Sequence, residues 1–244
     1  MKKILLKLLL IFTFMFSALS FGAEKLFVGT NAEFEPFEYL KDGAIVGFDM
    51  DLINEISKII GKECEIKNIA FDGLLPALQS KKLDIIIAGM TATDERKKFV
   101  NFSDTYYLAQ QMIVLNSDAK TNIKTFDDLP GKSVGVILGY TGDVAVSEIK
   151  GVNVTRFNGT GAAIMALKSQ KVDAVVLDSE PATQYASQNK ELVVIETDAA
   201  KEEYAIAFRK EDTQLLEEVN KALKILKENG KYQELLKKYN LIKE

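Results

Sequence analysis

The octapeptide Ala77-Leu-Gln-Ser-Lys-Lys-Leu-Asp84 recurs almost unchanged at residues 166–173 as Ala166-Leu-Lys-Ser-Gln-Lys-Val-Asp173. Each copy runs directly into an apolar segment, residues 85–88 in the first case and residues 174–177 in the second. This pattern predicts the end of a helix, a turn and then a buried strand of the parallel type. A repeat without internal gaps indicates that the chain consists of two α/β halves of similar build.

The residues that follow the two repeated strands are Gly89, Met90 and Thr91 in the first half and Asp178 in the second. Ligands of parallel α/β sheets bind in the crevice beyond the carboxyl ends of the strands. We therefore expect these residues to face one another across a cleft, which is typical of a binding protein.

Residues 1–23 have the pattern of a secretory signal peptide: lysines at the start, an apolar run and small residues before the predicted cleavage point. The uninterrupted apolar run of about a dozen residues is shorter than the roughly 20 needed to span a bilayer. The mature chain is thus expected to be secreted and soluble. Cys64 is the only cysteine, so no intrachain disulfide is predicted.

Composition excludes several function classes. The chain has no histidine, which removes histidine general bases, Ser-His-Asp arrangements and histidine metal ligands. Loss of the signal peptide takes away three of the 31 basic residues, so 28 remain against 35 acidic ones, a net charge of −7. An acidic protein is an unfavourable nucleic-acid binder. We expect no nucleic-acid partner, no metal and no cofactor.

Further elements follow from periodicity and end signals. Residues 47–52 are predicted to open a helix that runs to Ile60 with Gly61 as its stop, and Asp72 is expected to cap the first copy of the repeated helix. The extended apolar segments 112–115 and 204–208 are predicted to cross side by side as a hinge. Two amphipathic helices near the C-terminus are expected to pack on the first half.

Four motifs give the chain a resemblance to a known family. They are Gly-Phe-Asp-Met-Asp-Leu at residues 47–52, Phe-Asp-Gly-Leu-Leu-Pro-Ala-Leu at 71–78, Ala-Gly-Met-Thr-Ala-Thr-Asp-Glu-Arg-Lys-Lys at 88–98 and Glu-Asn-Gly-Lys-Tyr at 228–232. The chain resembles the periplasmic solute-binding proteins that feed polar amino acids to ABC importers, over essentially its whole mature length. The nearest likeness is to the glutamine, histidine and lysine/arginine/ornithine binders.

The resemblance implies a two-lobed α/β fold, each lobe a mostly parallel sheet flanked by helices, that closes on a free L-amino acid without catalysing a reaction. Residues 24–109 and 206–244 would form lobe 1, and residues 110–205 would form lobe 2, with two hinge strands between them. The implied partner is the membrane permease of an ABC importer, and the protein is expected to be a monomer.

The resemblance also assigns the group that holds the ligand carboxylate. Arg96 would grip it, helped by Thr91 and by the amide of Thr141 at a helix start. An arginine fork suits a carboxylate, and the chain has only three arginines. The alternative is a solvated arginine on a charged turn.

For the ligand ammonium, the resemblance names the carboxylate of Asp178 and the carbonyl of Gly89. Asp178 could equally be an ordinary helix N-cap, or fill both roles. Phe34 and Phe71 would line the side-chain pocket, although plain core packing is their alternative. Asn31 stands where several relatives carry an acidic residue, which weakens the case for a cationic ligand. Glu33 and Glu35 keep negative charge nearby, or are simply solvated.

Other readings remain open at this level. The same scaffold occurs in a cyclohexadienyl dehydratase, whose chemistry needs a general acid in the cleft, and a receptor sensor domain is a third candidate. Arginine or lysine is favoured as the ligand because of the two phenylalanines and the acidic loop. Glutamine follows because of Asn31, and histidine or cystine come after it.

Overall fold

The computed structural model describes residues 24–118, 121–199 and 201–242, so the predicted signal peptide lies outside the described residues. The strands are β1 Glu24–Thr30, β2 Glu33–Phe34, β3 Glu38–Lys41, β4 Ala44–Val46, β5 Lys62–Asn68, β6 Ile85–Ile86, β7 Asn101–Phe102, β8 Tyr107–Asn116, β9 Ser133–Ile137, β10 Asn153–Phe157, β11 Ala174–Asp178, β12 Leu192–Ile195, β13 Lys201–Tyr204 and β14 Ala207–Phe208. The helices are α1 Phe48–Ile60, α2 Phe71–Gln79, α3 Asp94–Lys97, α4 Thr141–Ser147, α5 Thr160–Lys168, α6 Ser179–Gln188, α7 Thr213–Glu228 and α8 Lys231–Lys238, with a 3₁₀ turn at Phe126–Asp128.

Two sheets with the same topology form the framework. The first has the strand order β5-β1-β6-β14-β7, and the second has the order β10-β9-β11-β8-β12. In each sheet the first three strands and the fifth run in the same direction, and the fourth, β14 or β8, is antiparallel to both of its neighbours. The prediction of two α/β lobes of similar build is confirmed.

The repeated octapeptides adopt the same conformation in both lobes. Lys81 and Gln170, at equivalent positions, both have positive φ angles, 62° and 57°. In each copy the N–H of the following lysine returns to the carbonyl of the alanine that opens the repeat, at 3.0 Å in the first lobe and 2.9 Å in the second. The repeat therefore ends each helix with the same left-handed turn, which aims the chain back at the sheet.

The aspartate that ends each repeat ties the turn to the central strand. Asp84 accepts a hydrogen bond from the backbone N–H of Phe27 at 2.9 Å, and Asp173 accepts the equivalent bond from Ser133 at 2.8 Å. These bonds fix where β6 and β11 enter their sheets.

The hinge prediction requires a correction. Residues 107–110 of β8 pair antiparallel with β13, whereas residues 112–115 pair with β11 and β12 inside the second sheet. β14 belongs to the first sheet. The expected crossing of residues 112–115 with 204–208 is wrong, because the apolar run needs a neighbour on both edges and only the preceding part of β8 is left to form the crossing.

The helices agree with the sequence in most cases. α1 spans the predicted residues and ends at Gly61, whose φ of 71° supplies the left-handed cap. The predicted cap at Asp72 is wrong. α2 begins at Phe71 with Ala70 as its N-cap, and Asp72 lies in its first turn. α7 and α8 pack against α1, as expected. Of the helices in the described ranges, none has the length and apolar content to cross a membrane.

Candidate functional site

The candidate site lies where β6 and β11 end. Its two sides are joined by β13, the strand that pairs with residues 107–110 of β8. Thr91 forms an isolated antiparallel bridge with Tyr204, the last residue of β13. The N–H of Ala205 donates to the carbonyl of Met90 at 3.0 Å. The hydroxyl of Tyr204 donates to the carboxylate of Asp178. The predicted meeting of the segment at residues 89–91 with Asp178 is therefore mediated by Tyr204.

Arg96 spans the cleft. It lies on α3, a short turn capped by the hydroxyl of Thr93, which accepts from the backbone N–H of Arg96 at 3.2 Å. One guanidinium nitrogen donates to the carbonyl of Thr91 and another to that of Gly139 in the second lobe, both at 2.9 Å. The side chain is thus fixed by backbone acceptors from both lobes.

The charge of Arg96 is not matched by an ion pair. Arg156 bonds Asp143 at 2.9 Å, and Arg209 bonds Asp212 at 2.7 Å. Among the described residues, Arg96 has no carboxylate within ion-pair distance. Burial lowers the pKa of its guanidinium from the ordinary value, while the negative charges of Glu202 and Asp178 oppose that fall. A partly buried cation with donors to spare suits an anionic ligand.

Asp178 is a buried carboxylate on the side of the site that faces Arg96. It occupies the N-cap position of α6, yet its side chain makes no capping bond. Its two oxygens accept instead from the Gln111 amide and the Tyr204 hydroxyl. Burial, reinforced by the charge of Glu202, raises the pKa of Asp178 to about 7, against the effect of the two hydrogen bonds. The carboxylate is therefore held by two neutral side chains and not by the backbone of the helix end.

Gln111 organises this wall. Its amide nitrogen donates to Asp178, to the Thr141 hydroxyl at 3.0 Å and to Glu202 at 3.2 Å. Thr141 is the first residue of α4. One amide on β8 therefore connects the candidate carboxylate-binding and ammonium-binding groups with β13.

The position of Gly89 leaves no room for a side chain. Its φ is 52°, and a Cβ built on it would lie 2.4 Å from Cε1 of Phe34. Its N–H donates to the carboxylate of Asp49 at 3.0 Å. The contact with the ring requires glycine, and the left-handed backbone favours it.

Aromatic rings line the first-lobe side. Phe34 is fully buried and contacts Tyr140 edge-on, with ring centroids 5.5 Å apart. Phe71 lies against Tyr140 at 4.4 Å, and the Arg96 guanidinium carbon is 5.2 Å from its ring centroid. Phe71 thus supports the arginine by a cation–π contact in addition to walling the cleft.

Asn31 is buried between the lobes. Its amide nitrogen donates to the carbonyl of Ile69 at 3.1 Å, and its oxygen accepts from the Tyr140 hydroxyl at 3.3 Å. Beside it opens a hollow of about 420 Å³, lined by Asn31, Glu33, Asn68, Ile69, Ala70, Asn158, Gly159 and Ala162. Glu33 is exposed at this rim, and Glu35 accepts from Gln184 and Gln188 on α6 at 3.1 and 3.3 Å.

Three polar side chains of this arrangement are not among the site residues predicted from the sequence: Gln111, Glu202 and Tyr204. Gln111 precedes an apolar run, and Glu202 lies in a charged run that is typical of a solvated edge. A signal for Glu202 exists in the alternation of β13, where Glu202 and Tyr204 share the buried face. That alternation is too short to outweigh the charge.

Two α/β lobes with a polar site between them, a guanidinium without an ion-pair partner in the described ranges on one side and a buried carboxylate on the other, define a two-lobed solute-binding protein. The family model of the bacterial extracellular solute-binding proteins, family 3, matches residues 26–242. The chain belongs to this family.

Individual relatives agree in length and fold. The chain is similar to the arginine-binding extracellular protein ArtP of Bacillus subtilis, with 39% identity over 224 residues that cover 89% of this chain and 87% of the relative. A crystal structure of a mutant ArgBP from T. maritima superposes with a TM-score of 0.86 at 47% identity, covering 89% of this chain and 96% of that one. An ancestral arginine-binding protein, solved with arginine and with glutamine, gives a TM-score of 0.85 at 44% identity, covering 88% and 97%. The two-lobed fold expected from the sequence is confirmed.

Proposed function

We propose that this protein captures one free L-amino acid, with arginine favoured, by closing its lobes over the ligand. The observation that carries the proposal is Arg96: a partly buried guanidinium, held by two backbone carbonyls, with no carboxylate at ion-pair distance in the described part of the chain. Opposite it lies Asp178, a buried acceptor. Unpaired groups of opposite sign fit the carboxylate and ammonium of a zwitterion.

The roles of the individual residues belong to the same proposal. Arg96 grips the ligand carboxylate with help from the hydroxyl and amide of Thr91 and from the amide of Thr141. Asp178 and the Gly89 carbonyl accept the ammonium. The side-chain pocket is lined by Phe34, Phe71, Met90 and Asn31, whose buried positions between the lobes support the assignment.

Arginine is favoured for two reasons. Several similar proteins are described as arginine-binding, among them ArtP and ArgBP. Asn31 and Glu33 also line the hollow beside the cleft, where a distal guanidinium would find polar neighbours. Glutamine is the second candidate, because Asn31 is a neutral amide and the ancestral neighbour was solved with glutamine.

Delivery to a permease of an ABC importer, action in the periplasm as a monomer and the lobe boundaries at residues 109/110 and 205/206 complete the proposal. Family membership supports the transport role, and the closed form is what a permease would recognise. Differential affinity of the ligand for the closed form drives the change of population.

Calorimetric titration of the ligand-stripped protein without residues 1–23 tests the proposal. L-arginine, lysine, histidine, glutamine and cystine are compared with agmatine, which lacks the carboxylate, and with prephenate. We expect one amino acid to bind with a Kd of about 1 μM or tighter, roughly −8 kcal/mol, and agmatine to bind far more weakly.

Arg96→Lys should weaken binding by about 30-fold to 100-fold, because a lysine cannot form the paired donors of the fork. Arg156→Lys is the matched control, since Arg156 pairs with Asp143 instead. Equal binding of agmatine and arginine, or wild-type affinity in Arg96→Lys, would contradict the proposed site.

A further inference from the structure

The helix-start motif at residues 47–52 supplies a buried carboxylate that contacts the backbone of a candidate site residue. Asp49, the second residue of α1, is fully buried. Its Oδ2 accepts from the backbone N–H of Gly89 at 3.0 Å and from the hydroxyl of Tyr106 at 2.7 Å. The motif is therefore more than a helix start, because it holds the residue whose carbonyl is assigned to the ligand ammonium.

A second carboxyl group lies against Asp49. Glu38, the first residue of β3, is also fully buried. Neither of its oxygens receives a hydrogen bond from a donor in the described ranges, and its carboxyl group lies within hydrogen-bonding reach of Asp49. Two adjacent buried carboxylates repel each other and lose their hydration, so one of them keeps a proton.

The hydrogen bonds identify which carboxyl group carries that proton. Asp49 already accepts two donors and is suited to be the anion, whereas Glu38 has only Asp49 to face and is suited to be the neutral acid that donates to it. Burial and the charge of Asp49 raise the pKa of Glu38 well above its ordinary value. The titratable groups that face the pair in the described part of the chain are Tyr106, Tyr140 and Tyr232.

We propose that Asp49 is a positioning residue for ligand recognition. Its buried carboxylate, which accepts a hydrogen bond from the protonated Glu38, anchors the N–H of Gly89 so that the Gly89 carbonyl faces the ligand ammonium. The anchor acts together with Phe34, whose ring lies on the other side of Gly89. A charge-assisted bond from a buried anion holds a backbone N–H more firmly than a neutral acceptor does. This inference rests on the proposed function.

Comparison of two ligands tests the positioning role. L-arginine and its deaminated analogue, in which hydrogen replaces the ammonium, are titrated against wild type and Asp49→Ala. We expect Asp49→Ala to lose about tenfold in affinity for arginine and less than about twofold for the analogue. An equal loss for both ligands would overturn the proposal, since a merely structural defect affects both alike. If Asp49→Ala does not fold, Asp49→Asn is measured in the same way, with a smaller loss confined to arginine.

Glu38→Gln tests the shared proton without any ligand. The raised pKa of Glu38 stabilises the fold fully below the ordinary glutamate range, and this contribution is lost as pH rises through the raised value. Glutamine donates to Asp49 at every pH. We expect the free energy of unfolding of wild type, relative to Glu38→Gln, to fall as pH rises from 5 to 9. Parallel pH profiles would overturn the shared proton.

The outcomes separate the two proposals. If wild type binds a different amino acid, the same comparison is made with that amino acid and its deaminated analogue. If wild type binds none, the proposed function fails, while the pH profile of Glu38→Gln still decides whether the buried pair shares a proton.

Discussion

At the scale of single residues, the distribution of charge separates the two ends of the site. Arg96 is satisfied by carbonyls, and Asp178 by neutral donors from Gln111 and Tyr204. Neither charge is cancelled by an ion pair in the described part of the chain, so a zwitterion gains from both. The repeat pointed to Asp178 and the family resemblance to Arg96, but the neutral partners of Asp178, Gln111 on β8 and Tyr204 on β13, were not expected from the sequence.

The affinity of the protein for arginine should depend on pH because Asp178 takes up a proton. Burial and Glu202 raise its pKa to about 7 in the protein without ligand, and an ammonium requires the ionised form. As pH falls below 7, the carboxylate takes up a proton that the ligand must displace, and affinity should decrease by up to about tenfold per pH unit. Calorimetry of arginine binding between pH 8 and 5 measures this dependence.

Asp178→Asn and the deaminated analogue are the controls for this prediction. Both remove the charge pair, so both should give weaker binding without the fall below pH 7. Constant affinity of wild type for arginine across this range would show that Asp178 does not meet the ammonium.

At the scale of elements, the repeated helix–turn–strand unit places both walls of the site. Each copy packs its leucine or valine against a glycine on the central strand: Leu83 against Gly29, and Val172 against Gly135. A Cβ at Gly29 would approach Cδ1 of Leu83 to 2.4 Å, and one at Gly135 would lie 3.1 Å from Phe157 and Val175. The absence of these side chains lets the turn approach the sheet closely.

Gly29→Ala should therefore lower the free energy of unfolding by about 1–3 kcal/mol, since the added methyl group overpacks the core. Thermal or urea denaturation measures the change. Gly73→Ala is the control, because Gly73 lies in α2 and an alanine there meets only Ile69 at 3.1 Å. That variant should be neutral or gain up to about 1 kcal/mol from helix propensity. Identical melting of Gly29→Ala and wild type would remove the packing argument.

At the scale of the whole molecule, the lobes meet through polar contacts at the rim of the cleft as well as inside it. Arg96 reaches Gly139, and Tyr140 reaches Asn31. Outside the site, Glu35 of the first-lobe loop accepts from Gln184 and Gln188 on α6. These bonds contribute to the closed arrangement, and ligand affinity includes the free energy of closure.

Glu35→Ala should weaken ligand binding by about twofold to tenfold, mostly through faster release, because the hydrogen bonds that stabilise closure contribute about 0.5–1.5 kcal/mol. Stopped-flow measurement of ligand release checks this. Glu95→Ala is the matched control, since Glu95 pairs with Lys98 within one lobe. Unchanged release in Glu35→Ala would exclude a contribution of this contact to closure.

The sequence by itself determined the repeat, and with it the α/β class, two lobes of equal topology and the strand ends from which residues 89–91 and Asp178 emerge. It also determined the boundaries of α1, because apolar spacing and a glycine stop are local signals. A local signal failed at Asp72, which lies in the first turn of α2 instead of capping it.

Only the tertiary structure decided which strands cross between the lobes and what surrounds the site. β8 pairs with β13 through residues 107–110 because its apolar part is taken by the second sheet. Likewise, Glu38, Asp49 and Gln111 are polar residues whose burial no local pattern predicts, and the alternation of β13 is too short to predict that of Glu202. Their placement depends on contacts between segments far apart in the chain, since a polar side chain is buried only where another segment supplies its partner.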